Sequence, residues 1–79
     1  MAKVLSMREQ VDCLLIALET ELEALDRECR ELSEQLLTMQ EGTALYSLTY
    51  GLHNAKMDAA SRIRRIYDAG KKQRERWNA

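Results

Sequence analysis

The chain has 79 residues, 46% of them hydrophobic, and its 12 basic and 13 acidic side chains give a net charge of −1. This length allows one small domain, and chains this short struggle to bury a sufficient core alone. The longest apolar run, residues 13–18, is too short to span a bilayer, and no signal peptide is recognisable. These features exclude a membrane span, indicate no second domain, and predict a cytoplasmic protein, or one exported by a route that leaves no cleavable signal.

The first predicted helix runs from about residue 4 to residue 40. Ser6 and Glu9 have capping-box spacing, so a start at Lys3 and a start at Ser6 are both consistent with the sequence. Apolar residues recur at steps of three and four, as on one helix face. Two successive steps of four, at Leu14–Leu18–Leu22, predict a stutter. The predicted stripe consists of Val4, Met7, Val11, Leu14, Leu18, Leu22, Leu25, Cys29, Leu32, Leu36 and Met39.

A turn is predicted at residues 41–43. Gly42 can adopt the left-handed conformation that ends a helix, and the Thr43 hydroxyl can cap the next one. The alternative is one continuous helix of about seventy residues. Continuing the first stripe past Met39 selects a line that is half polar, including His53, Arg64 and Lys71. A chain reversal is therefore favoured.

The second predicted helix covers residues 44–70, and residues 71–79 are predicted as a basic tail. Residue numbers in facing pairs of the two stripes sum to 84, or 85 for Leu22 with Ile63. Residues 1–42 carry a net charge of −6 and residues 43–79 carry +5, so the two halves attract. The expected fold is all-α: an antiparallel, coiled-coil-like two-helix hairpin, forming one domain over residues 1–79, assembled into a helical bundle with itself or a partner. Its second stripe is Leu45, Leu48, Leu52, Ala55, Ala59, Ile63, Ile66 and Gly70.

Two regions are predicted to contact a protein partner or a second copy of the chain. Residues 14–18 are apolar nearly all round, which is typical of a surrounded helix. A tyrosine- and methionine-containing stripe is expected beside the seam of the second helix, and such residues are enriched at interfaces. Partner binding and homodimer closure both remain open for it. The predicted partner-binding residues are Leu15, Ile16, Tyr46, Tyr50, His53, Met57 and Tyr67.

A basic segment near the end of the chain allows three interpretations. It can form a solvated face that pairs with the acidic first helix, it can contact an acidic protein partner, or it can bind nucleic acid through phosphate neutralisation and base stacking. The residues concerned are Arg64, Arg65, Lys71, Lys72, Arg74, Arg76 and Trp77.

No residue pattern indicates catalysis. His53 is the single histidine and has no carboxylate or cysteine at helical ligand spacing, so no metal site is expected. Nucleophilic triads and phosphate-binding loops are absent from the sequence, and we expect no cofactor, no small-molecule substrate and no enzymatic activity. Cys13 and Cys29 are about 24 Å apart along one helix, too far for an intramolecular disulfide, and are expected to be buried thiols, with an intersubunit disulfide as the alternative.

Two resemblances bear on function. The run from Leu18 to Leu32, with Asp26 and Arg27, resembles the first helix of all-helical chorismate mutases over about fifteen residues, but the third helix and the carboxylate-gripping basic residues of that family have no counterpart here. In size and architecture the chain is similar to the hairpin co-chaperones of type III secretion needle subunits, which implies a chaperone-like role.

The predicted function is a non-catalytic protein–protein interaction module: a small adaptor, a chaperone-like subunit or an assembly subunit. It would bury a partner's amphipathic helix or self-associate. The alternatives are a needle co-chaperone-like hairpin and a homodimeric four-helix bundle with a nucleic-acid-binding basic end.

Overall fold

The computed structural model describes residues 5–77 as two antiparallel α-helices, α1 (Met7–Leu36) and α2 (Ala44–Arg76). The helices contact each other along the hairpin, which measures 54 × 32 × 15 Å. No strand occurs between residues 5 and 77. The predicted all-α helical hairpin is confirmed. The predicted start at Lys3, the stripe residue Val4, and residues 78–79 of the predicted tail lie outside the described residues.

Both helices begin at the side-chain caps that the sequence predicts. The Ser6 hydroxyl accepts a hydrogen bond from the Glu9 amide at 3.2 Å. The Thr43 hydroxyl accepts one from the Tyr46 amide at 3.2 Å and donates one to the Gln40 carbonyl at 2.8 Å. Each cap satisfies an amide that the helix leaves unpaired, and thus defines the first turn.

The linker is longer than the predicted turn, because α1 ends at Leu36 rather than near residue 40. The Gln35 carbonyl accepts hydrogen bonds from both the amide and the hydroxyl of Thr38, at 3.0 and 2.8 Å, which tightens the chain and stops the helix. Gly42 has φ = 84°, the one positive value among the described residues. Its left-handed conformation is as predicted, but it lies in the linker of residues 37–43 and not directly after α1.

Helix α2 continues to Arg76, so residues 71–76 are helical and not a tail. A glycine inside a helix costs about 1 kcal/mol relative to alanine, and the prediction therefore ended the helix at Gly70. Contacts with α1 hold the segment beyond Gly70. Arg74 pairs with Asp12 at 2.7 Å, and the Arg8 guanidinium donates to the Trp77 carbonyl at 3.1 Å.

Side-chain pairs that link the helices show which residues of α1 and α2 lie at the same level. Lys56 pairs with Glu28 at 2.7 Å, and the Tyr67 hydroxyl donates to Glu19 at 2.6 Å. With the Arg74–Asp12 pair, these pairs have residue numbers that sum to 84 or 86. The predicted sum of 84 therefore describes which residues lie at the same level.

The face that α2 turns toward α1 differs from the prediction. Leu45, Leu48 and Ile66 were expected in the seam, yet they are 64%, 75% and 60% exposed, and Leu52 and Ala55 are exposed as well. The neighbouring line of α2 lies in the seam instead, in steps that alternate three and four. Its buried and half-buried residues are Tyr46, Thr49, His53, Lys56, Ala60, Ile63, Tyr67, Gly70 and Arg74.

The face that α1 turns toward α2 also differs from the prediction, at Leu14. Leu14 is 65% exposed, and Leu15 takes its place in the seam. The seam residues of α1 then run from Val11 to Leu36 in alternating steps of four and three, and Met39 in the linker is half-buried at the next step. The predicted stutter is therefore wrong, because both helices contribute an uninterrupted heptad repeat to the seam.

The core of the hairpin is small. Leu22, Leu25 and Ala60 form its buried apolar centre, and Ala59, Ile63 and Tyr67 pack against it. Thr49 is also buried, and its hydroxyl donates to the Leu45 carbonyl at 2.8 Å. Leu22 and Leu25 face the Ala59–Ile63 level of α2, as predicted. Two helices can enclose little more than this, so much apolar surface stays exposed.

Candidate functional site

The main candidate surface is a line of apolar side chains on α2 that the hairpin leaves uncovered. We call it the leucine stripe. Its residues recur at heptad spacing beside the seam, with Arg62 occupying the one charged position of the line. A line of exposed aliphatic side chains on one face of a helix is typical of a surface that packs on another helix. The leucine stripe consists of Leu45, Leu48, Leu52, Ala55, Ala59, Ile66 and Ala69; Ala59 is half-buried against the core and the others are exposed.

A groove continues the leucine stripe at the open end of the hairpin. Ile66 belongs to both, and the exposed side chains of Met7 and Leu14 form the opposite wall on α1. The groove encloses about 300 Å³ and is largely apolar. Arg74 and Trp77 line its end, with the Arg74 guanidinium 5.7 Å from the centre of the Trp77 ring. We call it the open-end groove; Val11, Leu15, Leu18, Gly70 and Gln73 complete its lining.

The predicted partner-binding residues divide into two groups. Ile16, Tyr50 and Met57 are exposed. The others were predicted to lie beside the seam, but they lie within it, and each is half-buried. They are Leu15, Tyr46, His53 and Tyr67. Contact of any of these seven residues with a partner stays a prediction.

The opposite side of the hairpin carries the Arg64–Asp26 ion pair. A second cavity of about 350 Å³ lies there, lined by both charged and apolar side chains, with His53 and Met57 among them. The Tyr46 and Tyr50 rings stack on each other, with their centres 6.1 Å apart. Within residues 5–77, no three histidine, cysteine or acidic side chains are grouped to hold a metal ion. The rest of the cavity lining is Asp26, Cys29, Arg30, Ser33, Ala60, Ser61 and Arg64.

Several predicted nucleic-acid or acidic-partner contacts are engaged with side chains of the hairpin. Arg64 pairs with Asp26 at 3.4 Å, and Arg74 pairs with Asp12. The Lys71 ammonium lies 5.8 Å from the centre of the Tyr67 ring. The two ion pairs support the interpretation that the basic segment pairs with the acidic first helix. Binding of nucleic acid or of an acidic partner stays a prediction for the exposed members, Arg65, Lys72, Arg76 and Trp77.

The Arg74–Asp12 pair fastens the open end of the hairpin. Two guanidinium nitrogens reach the two carboxylate oxygens, at 2.7 and 3.2 Å, in the bidentate geometry that suits arginine. The hydrogen bonds from Arg74 hold the pKa of Asp12 below its ordinary value of 3.8. The hydrogen bond that the Tyr67 hydroxyl donates to Glu19 raises the pKa of the Tyr67 phenol above its ordinary value of 10.0.

This pair predicts an acid-dependent contribution to stability. Because folding lowers the pKa of Asp12, the contribution is fully present above pH 3.8 and is lost as the pH falls through the lowered value. Asp12→Asn is therefore expected to lower the melting temperature at pH 7, and its deficit relative to the wild type should be smaller near pH 2. Thermal unfolding at both pH values measures this. Glu23→Gln, at an exposed carboxylate outside the pair, is the control, and an equal deficit for Asp12→Asn at both pH values would contradict the prediction.

The cysteines differ in environment. Cys29 is half-buried in the seam, whereas Cys13 is exposed, and both thiols are free. The expectation of a buried thiol is therefore wrong for Cys13. Its position points away from the seam because it falls two residues after Val11, more than half a turn from the covered face.

The sequence-based interpretation missed the leucine stripe as a surface because it placed those leucines in the seam. The sequence contains a feature that identifies the inward face of α2. The charged partners Asp12 with Arg74 and Glu28 with Lys56 lie at matching levels, and an uninterrupted heptad through them avoids the stutter. Choosing that repeat would have left Leu45, Leu48 and Leu52 outside the hairpin.

The fold and the leucine stripe together define the class of this protein: an antiparallel coiled-coil hairpin with one uncovered apolar face. Comparison with protein-family models, curated proteins and solved structures finds no match to the chain. Over the residues described, neither helix contains a stretch apolar and long enough to cross a membrane.

Proposed function

We propose that this chain is a non-catalytic protein–protein interaction module that buries an amphipathic helix along the leucine stripe. The observation that carries the proposal is the exposure of Leu45, Leu48, Leu52 and Ile66 on one face of α2. Full burial of such a side chain contributes about 1.5–3 kcal/mol. A helix with apolar residues at matching spacing would cover these four side chains together, as in helix-in-groove recognition.

The exposed area of the chain supports the same proposal. The hairpin exposes 6378 Å², whereas a compact folded monomer of 9.1 kDa exposes about 4,900 Å². The excess is about 1,500 Å². A standard protein–protein interface buries about 800 Å² on each partner, so covering one face of the hairpin would bring its exposed area toward the ordinary range.

The biological form of this module is a further part of the proposal. An adaptor, an assembly subunit and a chaperone-like subunit all use an apolar face to hold another chain's helix. The similarity in size and architecture to type III secretion needle co-chaperones makes the chaperone-like form one alternative. In that form the leucine stripe would cover an aggregation-prone helix until its assembly.

Two glutamate substitutions on the stripe test the proposal. Leu48→Glu with Leu52→Glu is expected to abolish stable association, because charged side chains cannot be buried in an apolar contact without a partner. The hairpin itself should keep its helicity, since both side chains are exposed in it. The measurements are sedimentation of the purified chain and quantitative mass spectrometry of proteins that co-purify with it from expressing cells.

Matched controls define the outcome. Leu37→Glu introduces one glutamate at a leucine that is 86% exposed and off the stripe. This variant should associate as the wild type does. Ile16→Glu tests the surface that the sequence favoured. Loss of association in Ile16→Glu with retention in the stripe variant would move the site to α1. Identical association of the stripe variant and the wild type would overturn the proposed function.

A further inference from the structure

We infer that the helix that covers the leucine stripe is α2 of a second copy of this chain, packed antiparallel about a two-fold axis. This inference rests on the proposed function and names its partner. Two observations support a second copy over an unrelated helix. When the stripe is reversed, apolar residues face apolar ones at every level except that of Leu52 and Arg62. The charge of the hairpin is also complementary between its open end and its linker-proximal half.

The positions of the stripe along α2 are symmetric about residue 57. The stripe extends from Leu45 to Ala69, twelve residues on either side of that point. When two copies meet antiparallel, facing residue numbers sum to 114. Leu48 then faces Ile66, Leu45 faces Ala69, and the remaining positions pair Ala55 with Ala59 and Leu52 with Arg62.

The sizes of the facing side chains also match. At the centre, Ala55 and Ala59 are small, so the two α2 helices can approach closely. Toward each end, a leucine faces an alanine or an isoleucine, so the distance between the two α2 helices changes little along the contact. In a parallel pair, leucine would face leucine at three levels and alanine would face alanine at three others, which leaves a gap beside the bulky end. The Arg62 side chains of the two copies would also meet.

Charge favours the same orientation. Residues 62–76 of α2 carry seven basic and two acidic side chains, whereas residues 20–41 carry seven acidic and two basic ones. The first group lies at the open end of the hairpin and the second lies toward the linker. Antiparallel packing places the basic segment of each copy beside the linker-proximal acidic half of the other. Parallel packing would place the two basic segments side by side.

Disulfide trapping tests both the partner and the orientation. The background carries Cys13→Ser and Cys29→Ala, which removes the two natural thiols. Leu48→Cys and Ile66→Cys are introduced singly and together, and each chain is oxidised with oxidised glutathione and run on a non-reducing gel. In an antiparallel pair, Leu48 of one copy faces Ile66 of the other, but the two Leu48 positions are about 27 Å apart, beyond the reach of a disulfide.

The expected result is that the double variant forms a cross-linked dimer and each single variant stays monomeric on the gel. Cross-linking of the single variants would overturn the antiparallel arrangement. No cross-linking in the double variant, with a monomeric mass for the wild-type chain by sedimentation, would overturn the second copy as the partner. The proposed function fails separately, when Leu48→Glu with Leu52→Glu changes neither the mass of the chain nor the proteins that co-purify with it.

Discussion

Leu25→Ala is expected to lower the free energy of unfolding of the hairpin by about 2–3 kcal/mol. Leu25 is 8% exposed and packs with Leu22 and Ala60 in the single buried apolar cluster of the described residues. Truncation removes the buried methyl groups and leaves a cavity that two helices cannot readily close. Because a domain of this size has only a few kcal/mol of stability, much of the chain should unfold at room temperature.

The matched control for this prediction is Leu37→Ala, the same substitution at the most exposed leucine of the described residues. It should change stability by less than about 0.5 kcal/mol, as surface substitutions do. Urea unfolding followed by circular dichroism measures both variants, at one fixed protein concentration because association adds to apparent stability. Equal losses for the two variants would mean that Leu25 is not the centre of the core.

Alanine substitutions at Gly42 and Gly51 are expected to have opposite effects. Gly42 has φ = 84°, where an alanine side chain is strained although its Cβ would meet no other atom within 4 Å. Gly42→Ala should therefore destabilise the hairpin by about 1 kcal/mol. Gly51 lies inside α2, and a Cβ there would likewise enter open space. Gly51→Ala should stabilise the hairpin by about 1 kcal/mol through helix propensity.

Each glycine serves as the control for the other, since the chemical change is the same and only the backbone conformation differs. Thermal and urea unfolding should place Gly42→Ala below the wild type and Gly51→Ala above it. A stabilising effect at Gly42 would show that the linker adopts another conformation in solution. A destabilising effect at Gly51 would indicate a contact on that face that the single chain does not contain.

Local features of the hairpin could be predicted because short-range chemistry decides them. Ser6 and Thr43 cap the helices through hydroxyl groups that reach amides three residues ahead. Gly42 supplies the one left-handed residue of the described chain. The mirrored spacing of apolar residues on either side of Gly42 gave the antiparallel pairing and its level, because residues at equal distances from the linker must meet.

The helix ends were harder to predict. Helix α1 stops at Leu36 because Thr38 captures the Gln35 carbonyl, a hydrogen bond that competes with helix continuation but does not follow from periodicity. Helix α2 passes Gly70 because Arg74 and Trp77 contact α1 residues more than sixty positions away. In the second case, a long-range contact outweighs a local propensity of about 1 kcal/mol.

By itself, the sequence determined the fold class, the caps, the chain reversal and the level at which the helices meet. Only the tertiary structure decided which face of α2 turns inward. Two lines of α2, one through Leu45, Leu48 and Leu52 and the other through Tyr46, His53 and Lys56, both recur at heptad spacing, so periodicity alone cannot choose between them. The choice depends on α1. Its Glu28, Glu19 and Asp12 reach Lys56, Tyr67 and Arg74 in the observed orientation. The leucine stripe stays outside for that reason, and with it the surface proposed to bind a second helix.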